Sequence, residues 1–168
     1  MMGVWYTGTF KNDERIYQKV IELHSQFVGE WKAQSPDGDF YTQALFQALP
    51  TLFAKHSVEK GGNVLGLDRE TENMIIVQFN IAVKGVEQET LAREKSRQFG
   101  VALRAYGESV GCNVPWLYLN YADYYQDPLG SYGGVNIAKI RAAALKYDPD
   151  KVFQNRSPGG FKISRHLG

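Results

Sequence analysis

The stretch Asn73 to Val83 constrains the fold more than any other part of the chain. Ile75, Val77, Phe79, Ile81 and Val83 fall on one face of an extended segment, and Ile76, Gln78, Asn80 and Ala82 on the other. Eleven residues with this alternation require partner strands on both sides, so the segment is expected at the centre of a sheet, with Phe79 and Ile81 in or beside the packed core. Met1 to Phe10, rich in β-formers such as Val4, Trp5, Tyr6, Thr7, Thr9 and Phe10, reads as one partner. Phe40 to Leu49, ended by Pro50, reads as another.

The helical pattern is equally regular. Asn12 or Asp13 offers an N-cap to a stripe of Ile16, Val20, Leu23, Phe27 and Trp31. Gln34 to Asp39 has turn composition, Thr51 to Lys60 reads as a short helix stopped by Gly61-Gly62, and Asn63 to Leu67 as a short extended piece. Val86 to Val110 reads as a long helix burying Leu91, Phe99, Leu103 and Tyr106. Trp116 to Tyr121 reads as a strand, Gly134 to Lys146 as a helix with Ile137, Ile140 and Ala144 on one face, and Gly160 to Ile163 as a terminal extended piece. The fold expected is α+β, a mainly antiparallel sheet with helices packed on one face.

A chain of 168 residues builds one domain with a real core. Nineteen Lys+Arg against 18 Asp+Glu give a formal charge of +1, which argues against nucleic acid as partner. The basic residues Arg156, Lys162, Arg165 and His166 read as a solvated tail. One cysteine, Cys112, excludes an internal disulfide and a cysteine-rich zinc site. His24, His56 and His166 lack metal-ligand spacing, so no metal site is expected. No apolar run approaches a membrane span and no signal peptide pattern opens the chain, so no membrane partner and a cytoplasmic location are expected.

The run Tyr118-Leu-Asn-Tyr-Ala-Asp123, with Gln126-Asp-Pro-Leu129, Ser131-Tyr-Gly-Gly134 and Lys146-Tyr-Asp-Pro-Asp-Lys-Val-Phe153, resembles the C-terminal signature of the berberine bridge enzyme-like FAD-linked oxidases. Tyr6 to Asp13, Leu23-His-Ser25 and Gly61 to Leu67 look like substrate-domain segments of fungal members. The resemblance implies the substrate domain of vanillyl-alcohol-oxidase-type flavoproteins over residues 1–110 and the family's C-terminal segment over 111–168, with the FAD-binding domain absent. Residues 1–168 are then a single domain that does not hold FAD alone. Neither Gly133-Gly134 nor Gly159-Gly160 is a dinucleotide fingerprint.

By the same resemblance, Tyr118 is the candidate catalytic group, deprotonating or hydrogen-bonding a substrate hydroxyl. Asn120 and Tyr121 are candidate cofactor contacts. On a regular strand Tyr118 and Asn120 would share a face; the alternative for Tyr118 is a core aromatic with a satisfied hydroxyl. Gln78 and Asn80 are candidate substrate-binding residues, because two carboxamides on one face of an apolar strand either line a polar cavity or meet solvent; burying them unpartnered would cost on the order of 1–3 kcal/mol each. Gln43 and Gln47 raise the same question on the second strand.

The implied function is that of an FAD-linked oxidoreductase contributing the pocket for a small organic substrate. The alternative is a flavin-free cyclase or isomerase, or a small-molecule binding protein, of secondary metabolism. The face that meets the FAD domain in the family implies a homodimer, or a complex with a separate FAD-domain chain, through residues near Ile137, Ile140 and Ala144 or through the sheet face.

Overall fold

A computed structural model of the protein describes residues 2–35 and 39–166. Four strands form one antiparallel sheet: β1 (Met2–Lys11), β2 (Phe40–Leu49), β3 (Met74–Val83) and the two-residue β4 (Asn113–Val114), in spatial order β2-β3-β1-β4. β3 pairs along its full length with β1 (Val4 opposite Ile81, Phe10 opposite Ile75) and with β2 (Phe40 opposite Val83, Leu49 opposite Met74), so it is internal as expected.

Two long helices cover one face. In α1 (Glu14–Gln34), Asp13 is the N-cap and accepts from the Arg15 amide, satisfying one of the free donors of the first turn. Its stripe of Ile16, Val20, Phe27 and Trp31 is buried. α3 (Val86–Ser109) buries Phe99 and Leu103, and it comes so close to β1 that a Cβ at Gly100 would enter the Tyr6 ring. Between them lies the main core: Val4, Tyr6 and Phe10 from β1, and Ile75, Val77, Phe79, Ile81 and Val83 from β3. Phe79 stacks on Phe99 at 4.6 Å and meets the edge of Phe27 at 4.8 Å. His24 is half-buried near Thr42 and against Phe79, and desolvation lowers its pKa.

The opposite face is treated differently at its two ends. At one end a second core gathers Leu49, Met74, Ile76, Val114 and Trp116 with Leu67, Leu129 and Tyr132. Those last residues come from the 3₁₀ turn Leu67–Arg69, α4 (Pro128–Ser131) and the loop before α5 (Gly134–Tyr147). α2 (Thr51–Glu59) and α6 (Val152–Asn155) have no buried residue, although Ala54 of α2 packs against the second core. At the other end, Tyr121 of the 3₁₀ turn Leu119–Tyr121 stacks on Trp5.

Three readings from the sequence need correction. Trp116 to Tyr121 is not a strand: only Asn113–Val114 pairs with β1, and Leu119–Tyr121 is a 3₁₀ turn. Asn63 to Leu67 forms no strand, and the segment ending in Ile163 enters a 3₁₀ turn, Ile163–His166, rather than extended structure. Of the expected turn before β2, Pro36, Asp37 and Gly38 lie outside the described residues, as does Met1.

Candidate functional site: an uncharged sheet face with an aromatic border

The register builds the face row by row. Tyr41, Ala82 and Gly3 form one cross-strand row, followed by Gln43, Asn80 and Trp5, then Leu45, Gln78 and Thr7, then Gln47, Ile76 and Thr9. None of these twelve positions carries a charge. These four rows are polar through carboxamides and hydroxyls alone, so they can orient a neutral molecule; the last row of the register, Leu49, Met74 and Lys11, adds an ammonium that is paired with Glu72.

Gln78 and Asn80 are buried, not solvent-facing as simple alternation would allow. The Gln78 carboxamide donates to Gln47 Oε1 at 3.2 Å, and that of Asn80 to Gln43 Oε1 at 3.4 Å. The hydroxyls of Thr7 and Thr9 are buried on the same face and have no hydrogen-bond partner. Leaving such a group unpaired costs roughly 1–3 kcal/mol. Around them the surface is open: Trp5 is 37 %, Leu45 39 % and Tyr41 52 % exposed.

The border on the β1 side is aromatic. Trp5 stacks on Tyr121 at 5.3 Å, Tyr121 lies 5.2 Å from Tyr118, Tyr118 stacks on Trp116 at 6.0 Å, and Trp116 reaches Tyr132 at 6.2 Å. Tyr118 and Asn120 do meet, by a turn rather than by strand alternation: the Asn120 carboxamide donates to the Tyr118 hydroxyl at 2.9 Å. Tyr118 and Tyr121 are half-buried and Asn120 is exposed. Trp5 joins the two groups of candidate residues, since it pairs with Asn80 across the ladder and stacks on Tyr121.

The loop holding these rings is fastened by Gln126. Its Oε1 accepts from the Thr7 and Asp123 amides at 3.1 Å each, and its Nε2 donates to the Thr7 carbonyl at 2.7 Å. One side chain thus substitutes for a strand neighbour along β1 where β4 has ended. Asp123, buried beside it, pairs with Arg93 at 2.9 Å, and Asp127 caps α4 through the Gly130 amide. Burial, with Asp123 close by, pushes the Tyr125 phenol up to about 12.

Trp5, Thr7, Thr9 and the clamp role of Gln126 were missed from the sequence. The β-former alternation in Met1 to Phe10 held the signal for the first three, since it places all of them on one face. Clefts occur off this face. One of about 260 Å³ is lined by Tyr6, Arg97, Arg104 and Tyr125, and one of about 330 Å³ by Ser57, Gly61, Asn63, Asp68 and Lys139. Asp68 is exposed beside Arg69. No group of His, Cys, Asp and Glu suited to a metal occurs among the described residues, and none of their helices is long and apolar enough to cross a membrane.

Unpartnered hydroxyls, carboxamides and stacking rings suit the edge and plane of a flavin ring. At Gly133, where the double glycine opens α5, the Arg69 guanidinium fills the space a side chain would take and donates to the Ser131 carbonyl.

No family model matches the chain, and no solved structure matches it significantly. Among characterised proteins, it is 38 % identical over 162 residues to the FAD-dependent monooxygenase drtC of Aspergillus calidoustus, covering 96 % of this chain and 31 % of that protein. It is 35 % identical over 163 residues to the FAD-dependent monooxygenase sdcF of Emericella nidulans, covering 97 % and 34 %. It is also 33 % identical over 106 residues to the bifunctional solanapyrone synthase of Alternaria solani, covering 62 % and 20 %. The chain is therefore similar, over nearly all of its own length, to fungal FAD-dependent monooxygenases, and spans about a third of theirs.

Proposed function

We propose that this chain supplies the substrate-facing half of a flavin-dependent oxidoreductase of fungal secondary metabolism, in the manner of the berberine bridge enzyme-like oxidases. The observation that carries the reading is the uncharged face on which Thr7 and Thr9 hold buried hydroxyls without partners. FAD, when bound, supplies the hydride acceptor. In this reading Thr7, Thr9, Gln78 and Asn80, buried in the free chain, hydrogen-bond a neutral ligand or the flavin edge once the side chains over them part, and Trp5 and Tyr121 stack against its plane. Asn120 holds the Tyr118 hydroxyl, which accepts or polarises the substrate hydroxyl proton.

The FAD domain comes from a separate chain or a further segment, or the chain self-associates. α5 is the surface proposed for the first case. Its Ile140 turns toward the second core, whereas Val135 (74 % exposed) and Leu145 (63 %) face outward in an apolar stripe with Ala138 and Ala142.

Lumiflavin, the neutral flavin ring without pyrophosphate, tests the reading directly. Its fluorescence is expected to be quenched saturably by the purified chain, with affinity at least tenfold weaker in Thr7→Val and Gln78→Leu, and FAD is expected to bind no more tightly than lumiflavin. Absence of saturable quenching would remove the flavin-facing role. Turnover of a neutral polyene or phenol without flavin would favour the cyclase or isomerase alternative. In a reconstituted enzyme, Tyr118→Phe is expected to lower kcat by about 10²-fold or more, the scale of a lost proton-transfer group. Its melting temperature should barely move, since the lost hydrogen bond is an exposed one.

A further inference from the structure

The two edges of the sheet are finished in opposite ways. On the β1 side, β4 is only two residues long and Gln126 takes up the Thr7 backbone groups, so the edge is occupied from Thr7 to Lys11, and only Met2–Tyr6 has no ladder neighbour there among the described residues. On the other side β2 runs for ten residues, Phe40-Tyr-Thr-Gln-Ala-Leu-Phe-Gln-Ala-Leu49, with no charge and no proline. Among the described residues it pairs with β3 alone. Tyr41, Leu45 and Phe46 on it are 52 %, 39 % and 37 % exposed. Natural sheets blunt such edges with lysine, proline, bulges or a covering element, and β2 has none of the first two.

We propose that β2 is the surface on which two copies of this chain associate, its outer edge pairing antiparallel with itself about a two-fold axis perpendicular to the sheet. A second copy is favoured over another partner because the edge is complementary to itself. In the register centred on Leu45, each Leu45 faces its own counterpart, Gln43 faces Gln47 and Phe46 faces Ala44, with no like charges opposed. Such an axis keeps faces together, so two four-stranded sheets join as one of eight strands, with the helices of both copies on the same side. The proposal gives the self-association option above a surface and does not depend on flavin binding.

Light scattering after size exclusion is expected to give a dimer of the 19.0 kDa chain at tens of micromolar. Leu45→Lys, which sets two ammonium groups against each other at the axis, should give a monomer with unchanged circular dichroism. Leu45→Cys should form a disulfide-linked dimer on mild oxidation, because directly opposed residues of an antiparallel pair lie about 4.5–5.5 Å apart at Cα, within disulfide reach. The native Cys112 is buried and should not compete. A monomer at all concentrations overturns the proposal. So does a dimer that survives Leu45→Lys, shows no Leu45→Cys cross-link and is lost instead in Leu145→Glu on α5.

Discussion

Phe79→Ala is expected to destabilise the chain by about 3–5 kcal/mol, the range for truncating a buried phenylalanine, and to lower the melting temperature by on the order of 10 °C for a domain of this size. Phe79 has no exposed surface and is the point where β3, α1 and α3 meet. Its ring stacks on Phe99 and meets the edges of Phe27 and His24. Truncation removes those aromatic pairs as well as the buried area, and the surrounding β-branched side chains cannot close the gap without leaving their rotamers. Thermal unfolding followed by circular dichroism measures it. A change below about 1 kcal/mol, the scale of a surface substitution, would mean that this core is not packed as described.

The second large effect is expected at Gln126→Glu, which keeps the size of the side chain and removes its donor. The Thr7 carbonyl, now 2.7 Å from an amide nitrogen, would face a carboxylate oxygen, while the Thr7 and Asp123 amides keep an acceptor. Losing the bond and opposing two acceptors should cost roughly 2–4 kcal/mol near neutral pH, since an unsatisfied buried group alone accounts for 1–3. The introduced carboxyl is destabilised in its charged form, so its pKa in the folded state rises above the unfolded value. Its protonated form can donate. The variant should therefore regain stability as pH falls toward the ordinary carboxylate range and lose it as pH rises through the folded-state pKa. Denaturant titrations at acidic and neutral pH read the difference, and equal losses at both would show that the clamp does not depend on the donor.

These two residues also mark what could be read from the sequence. Phe79 sits in a segment whose alternation identifies a strand and its two faces, and the helical stripes of α1 and α3 identify what covers one of them. The burial of Gln78 and Asn80 could not be read that way, because it depends on which β2 carboxamides, Gln47 and Gln43, the register sets beside them. Trp116 to Tyr121 looked extended because tryptophan and tyrosine favour strands. A strand also needs a free ladder partner, and along β1 the Gln126 carboxamide takes the Thr7 groups that a longer β4 would have used. A side chain acting as a strand neighbour has no periodic signal. The meeting of Tyr118 and Asn120 was anticipated, but through strand alternation, whereas a 3₁₀ turn brings them together.

The division of the apolar interior between the two faces of one sheet sets an order of opening. The larger core joins α1 and α3 to one face of β1 and β3, and the segment after Cys112 is held to the other face by the smaller one, which also takes in Leu49, Leu67, Met74 and Ile76, and by the Gln126 clamp and the Asp123–Arg93 pair. Local openings follow such boundaries, and a unit with fewer buried contacts opens at lower free energy than the whole. The C-terminal segment is therefore expected to detach and re-dock while β1–β3 stay folded, taking Tyr121 off Trp5, and Tyr118 with it, in one motion. Amide exchange should show it as a block of faster protons after Gly111, and the aromatic border of the open face would then exist only for the fraction of time that block is closed.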